Sequence, residues 1–142
     1  MPQSKAEAIW EGTLKDGNGN VNTQSGRCSE PYTFESRFKN GEGTSPEELI
    51  GAAHAGCVSM ALSHALAEEG YEPKRVHTKA NVTLEEKADG FKITAIDLET
   101  EATVPDLEVE EFQKFAETAK TTCPVSQALT GTTINMNARL TR

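Results

Sequence analysis

Between Thr44 and Gly70 the chain reads TSPEELIGAAHAGCVSMALSHALAEEG, and apolar residues fall on nearly every side of a helical projection. Leu49, Ile50, Ala53, Cys57, Met60, Ala61 and His64 recur at steps of three and four, while Ala52, Ala55, Val58, Leu62, Ala65 and Leu66 fill most of the remaining circumference. Ser45 suits an N-cap, Pro46 the first helical position, and Glu48 falls where its carboxylate can reach back to the cap. Glu68, Glu69 and Gly70 restore polarity and supply a left-handed end. The pattern predicts one long helix, buried all round, with Cys57 sunk in the core.

The flanking segments read mostly as strands. Ala6, Ala8 and Trp10 alternate with Glu7 and Glu11 as on a half-buried strand, the run DGNGN at 16–20 is turn chemistry, and residues 21–24 return. SGRCSEPY reads as loop. Phe34, Ser36 and Phe38 then alternate with Glu35 and Arg37, which predicts a third strand with Arg37 opposite the two rings, the usual place of a solvated arginine. Beyond Gly70, period two resumes from Val76 to Leu84, KADG at 87–90 closes a hairpin, and the return strand slips phase near Ala95 and Ile96, the mark of a β-bulge. Pro105 and Asp106 end it. Val109, Phe112, Phe115, Ala116 and Ala119 mark a second helix, TTCPVSQAL begins a short third with Cys123 at its N-terminus, and TTINMNARL closes the chain as a strand.

The order β-β-β-α-β-β-α-α-β lacks the alternation of a parallel fold, so the expected class is α+β with largely antiparallel sheets, in a single domain over residues 1–142. One sheet cannot cover a helix that is apolar all round. A homodimer that sandwiches the helix between two sheets would.

Charge narrows the partners. Lys and Arg number 14 against 22 Asp and Glu, a net charge of −8, which argues against nucleic acid and against an anionic membrane surface. The N-terminus has no apolar signal region, and no run approaches the roughly 18 apolar residues of a bilayer span, so the expected location is cytoplasmic. Three cysteines without a CxxC pair speak against a disulfide framework and against a structural zinc. On position alone Cys123, at a helix N-terminus, is the better nucleophile, and Cys57 reads as a small packed side chain. Cys28 reads as an incidental loop thiol. His54 and His64 share a helix face with Cys57, which would suit a Cys–His pair or half a metal site, but no further ligands are identifiable and buried histidines are more often satisfied by hydrogen bonds, so no metal is expected.

The helix motif SPEELIGAAHAGCVSMALS, the motif ESRF that precedes its cysteine, and the later CPVSQAL together resemble the OsmC/Ohr family, the osmotically inducible and organic hydroperoxide resistance proteins. The match runs from IWEG at 9–12 to the last strand, and His54 with the Glu47–Glu48 pair is similar to the OsmC branch. The resemblance implies an OsmC-like fold, sheets around a long buried helix in an intertwined homodimer. It also implies a cysteine peroxidase of stress defence that reduces organic hydroperoxides, and hydrogen peroxide more weakly, without metal or bound cofactor. Carried over by motif, Cys57 would be peroxidatic, Cys123 resolving, Arg37 the activating cation and Glu47 the acid that orients it. Cys28 and the histidines match nothing functional in that pattern. An external dithiol, in the Ohr branch a lipoyl protein, would reset the Cys57–Cys123 disulfide. A redox sensor that turns over once, or a stress protein that only binds ligands, would use the same residues differently.

Those roles raise a geometric question. Glu47 and Cys57 are ten positions apart, which on one helix separates their backbones by about 15 Å. If both act on one thiolate, either the helix breaks near Gly51 or Arg37 and Glu47 come from a second subunit. Gly51 alone costs only about 1 kcal/mol inside a helix, which favours the second option.

Overall fold

The computed structural model describes residues 1–142 and divides into two compact units, Met1–Leu49 and Ile50–Arg142. The first is a three-stranded antiparallel meander, β1 (Ala6–Glu11), β2 (Asn18–Thr23) and β3 (Ser29–Tyr32), followed by a short helix α1 (Phe34–Phe38). Register places Gly19 of the middle strand between Trp10 and Tyr32, whose ring centroids are 5.2 Å apart. A Cβ on Gly19 would lie 2.4 Å from the Ile9 carbonyl and within 2.8 Å of both rings, so only glycine allows the aromatic pair to close over β2.

Two expectations are corrected here. Residues 34–38 are helical rather than a strand, because a capping box sets the turn: Thr33 Oγ1 accepts from the Ser36 N–H at 3.1 Å and Ser36 Oγ from the Thr33 N–H at 2.8 Å. Five residues are too few to separate period two from a helix, since Phe34 and Phe38 also meet at i and i+4, their rings 4.8 Å apart. The third strand lies instead at Ser29–Tyr32, in the segment expected to be loop; Pro31 is tolerated there because β3 is an edge strand.

The long helix α2 (Pro46–Glu68) begins where expected, Ser45 Oγ accepting from the Glu48 N–H at 3.0 Å, and runs unbroken through Gly51. In the second unit β4 (Arg75–Lys87) and β5 (Gly90–Thr103) form the long hairpin, and β6 (Thr133–Thr141) joins β5. The bulge falls at Thr94, one residue before the expected site, where pairing passes from Thr83–Ala95 to Leu84–Ile93. The β5–β6 ladder is parallel, which the strand pattern did not reveal. Its crossover carries helices α3 (Val109–Thr122) and α4 (Pro124–Ala128). The core has two parts. Leu62 and Leu66 of α2 meet Ala102, Val104, Leu107 and Phe112; Val58 meets Ile96, Leu98 and Cys123.

The expectation that α2 is buried all round does not hold in the single chain. Gly51, His54, Val58, Leu62 and Leu66 form the buried stripe, whereas Ala52, Ala53 and Gly56 are exposed, Met60 is 76% exposed, and Cys57 is half-buried rather than in the core. Periodicity counts apolar sides but cannot count the elements available to cover them. The expectation that no segment is long and apolar enough to cross a membrane also fails: α2 has 23 residues and an 18-residue window of mean hydropathy 1.4. Alanines raise that average, and the stripe carrying Val58, Leu62 and Leu66 packs inside the protein.

Candidate active site

Each compact unit holds one pair of the residues singled out by motif. In the first, α1 presents Arg37 and the first turn of α2 presents Glu47. Their contact is bidentate: Arg37 Nε donates to Glu47 Oε1 at 3.0 Å and Arg37 Nη2 to Oε2 at 2.8 Å. Such a fork fixes the plane of the guanidinium and leaves Nη1 outside the pair. Glu47 is buried and Arg37 is one-third exposed, its guanidinium carbon 5.3 Å from the centre of the Phe38 ring. The hydrogen bond to Glu47, against a smaller effect of burial, holds Arg37 above its usual range. The helical turn over 34–38 sets this arrangement, where an extended segment was expected.

In the second unit, the half-buried Cys57 of α2 meets the fully buried Cys123. Cys123 is the N-cap of α4, as its position before Pro124 predicts, and its Sγ accepts from the Ser126 N–H at 3.3 Å. Burial pushes the Cys57 thiol up. The backbone of Val125, at the start of α4, pulls it down, and the neighbouring Cys123 thiol raises it again. Burial is the largest of these influences and leaves the Cys57 thiol raised, the opposite of what a peroxidatic thiol needs.

Sequence reasoning missed two further members of this site. Cys123 Sγ donates to Ser126 Oγ at 3.2 Å, and Ser126 Oγ lies 2.7 Å from His54 Nε2. His54 and Ser126 are both buried, and His54 Nδ1 has no hydrogen-bond partner. Periodicity places His54 on the helix but cannot connect it to a serine 72 residues away. Burial holds His54 below its ordinary value of 6.5. A histidine whose folded pKa is lowered contributes stability that is fully present above its unfolded pKa, near 6.5, and is lost as pH falls from there through the folded value. Denaturant midpoints of wild type and His54→Gln, measured between pH 5 and 8, are expected to converge as pH falls below about 6.5. A wild-type advantage independent of pH would contradict this.

The other two residues stand apart from this chemistry. Cys28 is half-buried beside β3, its N–H donating to Thr23 Oγ1 at 3.1 Å. His64 is exposed, 3.5 Å from Glu68 on the same helix.

The family model described as OsmC-like protein matches residues 39–137, a span that includes Glu47, Cys57 and Cys123 and leaves Arg37 just outside. Peroxiredoxin OsmC of Escherichia coli is 48% identical over 126 residues, 88% of each chain. An organic hydroperoxide resistance protein of Xanthomonas axonopodis pv. citri is 30% identical over 71% of this chain and 68% of its own. In fold, the crystal structure of an OsmC-like protein from Mycoplasma pneumoniae superposes with a TM-score of 0.78 at 16% identity, covering 99% of both chains. The helix and cysteine motifs, the α+β architecture and these matches agree: the chain belongs to the OsmC/Ohr family.

Proposed function

We propose that this protein is a thiol peroxidase that reduces organic hydroperoxides in stress defence, with Cys57 as the peroxidatic and Cys123 as the resolving cysteine. The observation that carries the reading is that Cys57 packs against the cluster holding Cys123, 66 positions away in sequence and the N-cap of α4. The names of its relatives, peroxiredoxin OsmC and organic hydroperoxide resistance protein, support the same chemistry.

The Cys57 thiolate attacks the distal oxygen of the hydroperoxide, forming an S–O bond as the O–O bond breaks, and the alkoxide leaves as alcohol after taking a proton. Cys123 then forms the S–S bond, and the sulfenic oxygen leaves as water. An external dithiol returns both sulfurs to thiols by exchange and is itself oxidised. Its identity as a lipoyl protein, and a cytoplasmic setting in which such a dithiol stays reduced, belong to this proposal.

The activating cation is Arg37, oriented by Glu47, and both come from the second subunit of a homodimer. Three observations support this. Burial pushes the Cys57 thiol up, a cost that a cation must offset; α2 is unbroken at Gly51, leaving about 15 Å of helix between Glu47 and Cys57; and one face of α2 is apolar and uncovered. Arginine suits the role because it brings charge to a desolvated thiolate without giving up its own proton.

A thiol at the edge of an apolar cluster favours substrates that bury carbon, by about 0.8 kcal/mol per methylene. With dihydrolipoamide as reductant, cumene hydroperoxide is expected to show a kcat/KM at least tenfold above that of hydrogen peroxide, since two buried carbons already suffice for that factor. Equal constants would contradict the proposed apolar peroxide pocket.

A further inference from the structure

From the chain of contacts that ends at His54, we infer that His54 and Ser126 form a buried proton relay that readies Cys123 for attack on the oxidised Cys57. The inference rests on the assignment of Cys123 as the resolving thiol, and His54 acts in it as a positioning residue. The contacts are continuous: Cys123 Sγ donates to Ser126 Oγ at 3.2 Å, and Ser126 Oγ is 2.7 Å from His54 Nε2. Cys123 and His54 are 1% and 0% exposed, and Ser126 is 3% exposed, so water does not replace any link.

Resolution needs a thiolate at Cys123, yet that sulfur is buried away from a solvent base. With Nε2 unprotonated, the relay runs one way: as Cys123 gives its proton to Ser126 Oγ, the serine hydroxyl proton passes to His54 Nε2. The Cys123 thiolate forms the S–S bond with Cys57 while the S–O bond breaks. Hydroxide leaves; the proton on His54 Nε2 returns to Ser126 Oγ as Ser126 gives its own to the hydroxide, which departs as water, and His54 is again neutral. Ser126 can then donate to the sulfur it first accepted from. The Ser126 N–H, already 3.3 Å from Cys123 Sγ, stabilises the thiolate as it forms.

His54 is the base that the contacts link to Cys123. Facing it from α4 are Ser126 and, through it, Cys123; on α2 its titratable neighbours are Cys57 one turn on and Glu47 two turns back, the latter bound to Arg37. The cluster around Val58 and Cys123 draws on Ala80, Val82, Ile96, Leu98, Ile134 and Met136 of the sheet, which pack an apolar wall beside the relay. A histidine that burial keeps neutral accepts a proton at lower pH than an exposed one would.

The test separates the two chemical steps in the intact protein. One equivalent of cumene hydroperoxide is mixed with reduced protein and quenched at intervals, and mass spectrometry counts Cys57 sulfenic acid, trapped with dimedone, and Cys57–Cys123 disulfide. In wild type, disulfide formation is expected to rise through an inflection below pH 6.5. Ser126→Ala, which removes one oxygen, and His54→Gln should each slow that step at least tenfold at pH 7 and abolish the inflection below pH 6.5. Sulfenic acid formation should stay within about threefold of wild type.

Wild-type resolution with no inflection below pH 6.5 would overturn the relay without recourse to any variant. So would a Ser126→Ala protein that resolves at the wild-type rate with the wild-type profile, or equal slowing of both steps. Failure of wild type to form the Cys57–Cys123 disulfide at all would instead remove the assignment on which the relay rests.

Discussion

Replacing Cys57 by serine is expected to reduce hydroperoxide consumption to the uncatalysed background, the largest effect of any single substitution in this protein. The side chain keeps its size, so the helix and the cluster around Val58 remain, but the sulfur that would accept the peroxide oxygen is gone. Cys123→Ser should behave differently. It leaves the attacking sulfur in place, so one equivalent of hydroperoxide is still consumed and a sulfenic acid accumulates at Cys57, visible as a dimedone adduct; turnover then stops. Cys28→Ser should retain wild-type activity, since that thiol lies in the β2–β3 region of the first compact unit, hydrogen-bonded through its backbone to Thr23. Loss of activity in Cys28→Ser alone would overturn the assignment of the cysteines.

The second large effect concerns Arg37. Arg37→Ala should lower kcat/KM by roughly a hundredfold or more, because the desolvated Cys57 thiol then has no charge to favour its ionised form. Two inactive proteins should nevertheless repair each other. When Cys57→Ser and Arg37→Ala chains are unfolded, mixed and refolded together, each mixed dimer combines an intact Cys57 from one chain with an intact Arg37 from the other. About half the dimers in a statistical mixture carry one such site, so roughly a quarter of wild-type activity per chain should return. No recovery, with mixed dimers verified by mass, would put all four residues in one chain and require the helix to deform at Gly51.

How far these features can be read from sequence depends on the length of the signal. The 23-residue α2, the β4–β5 hairpin and α3 carry patterns long enough to be unambiguous, and the bulge at Thr94 shows as a phase slip one residue away. The five residues of α1 satisfy both periods, and the deciding clue is the Thr33–Ser36 capping pair, which a search for alternation passes over. Pro31 hid β3, although an edge strand accepts it. Parallel pairing of β6 leaves no local mark, because direction is set by the crossover.

The candidate site was legible unevenly. Cys123 before Pro124 declares its helix terminus in the sequence itself. The role of Cys57 came from family resemblance alone, since its periodicity fits packing equally well. His54 sits on the buried stripe of α2 between Gly51 and Val58, and a histidine there must find a partner. Burial thus announces that Ser126 or its like exists, while only the fold says which residue it is.

If the two thiols turn over, one chain consumes many equivalents of hydroperoxide, and counting those equivalents tests it directly. Reduced wild-type protein is mixed with a fiftyfold excess of cumene hydroperoxide and a larger excess of dihydrolipoamide, and residual hydroperoxide is measured to completion against a protein-free control. The expected result is consumption of essentially all the hydroperoxide, with a matching yield of alcohol. Consumption that stops at one equivalent per chain would identify a redox sensor, and consumption no faster than the control a binding protein; either would contradict the peroxidase.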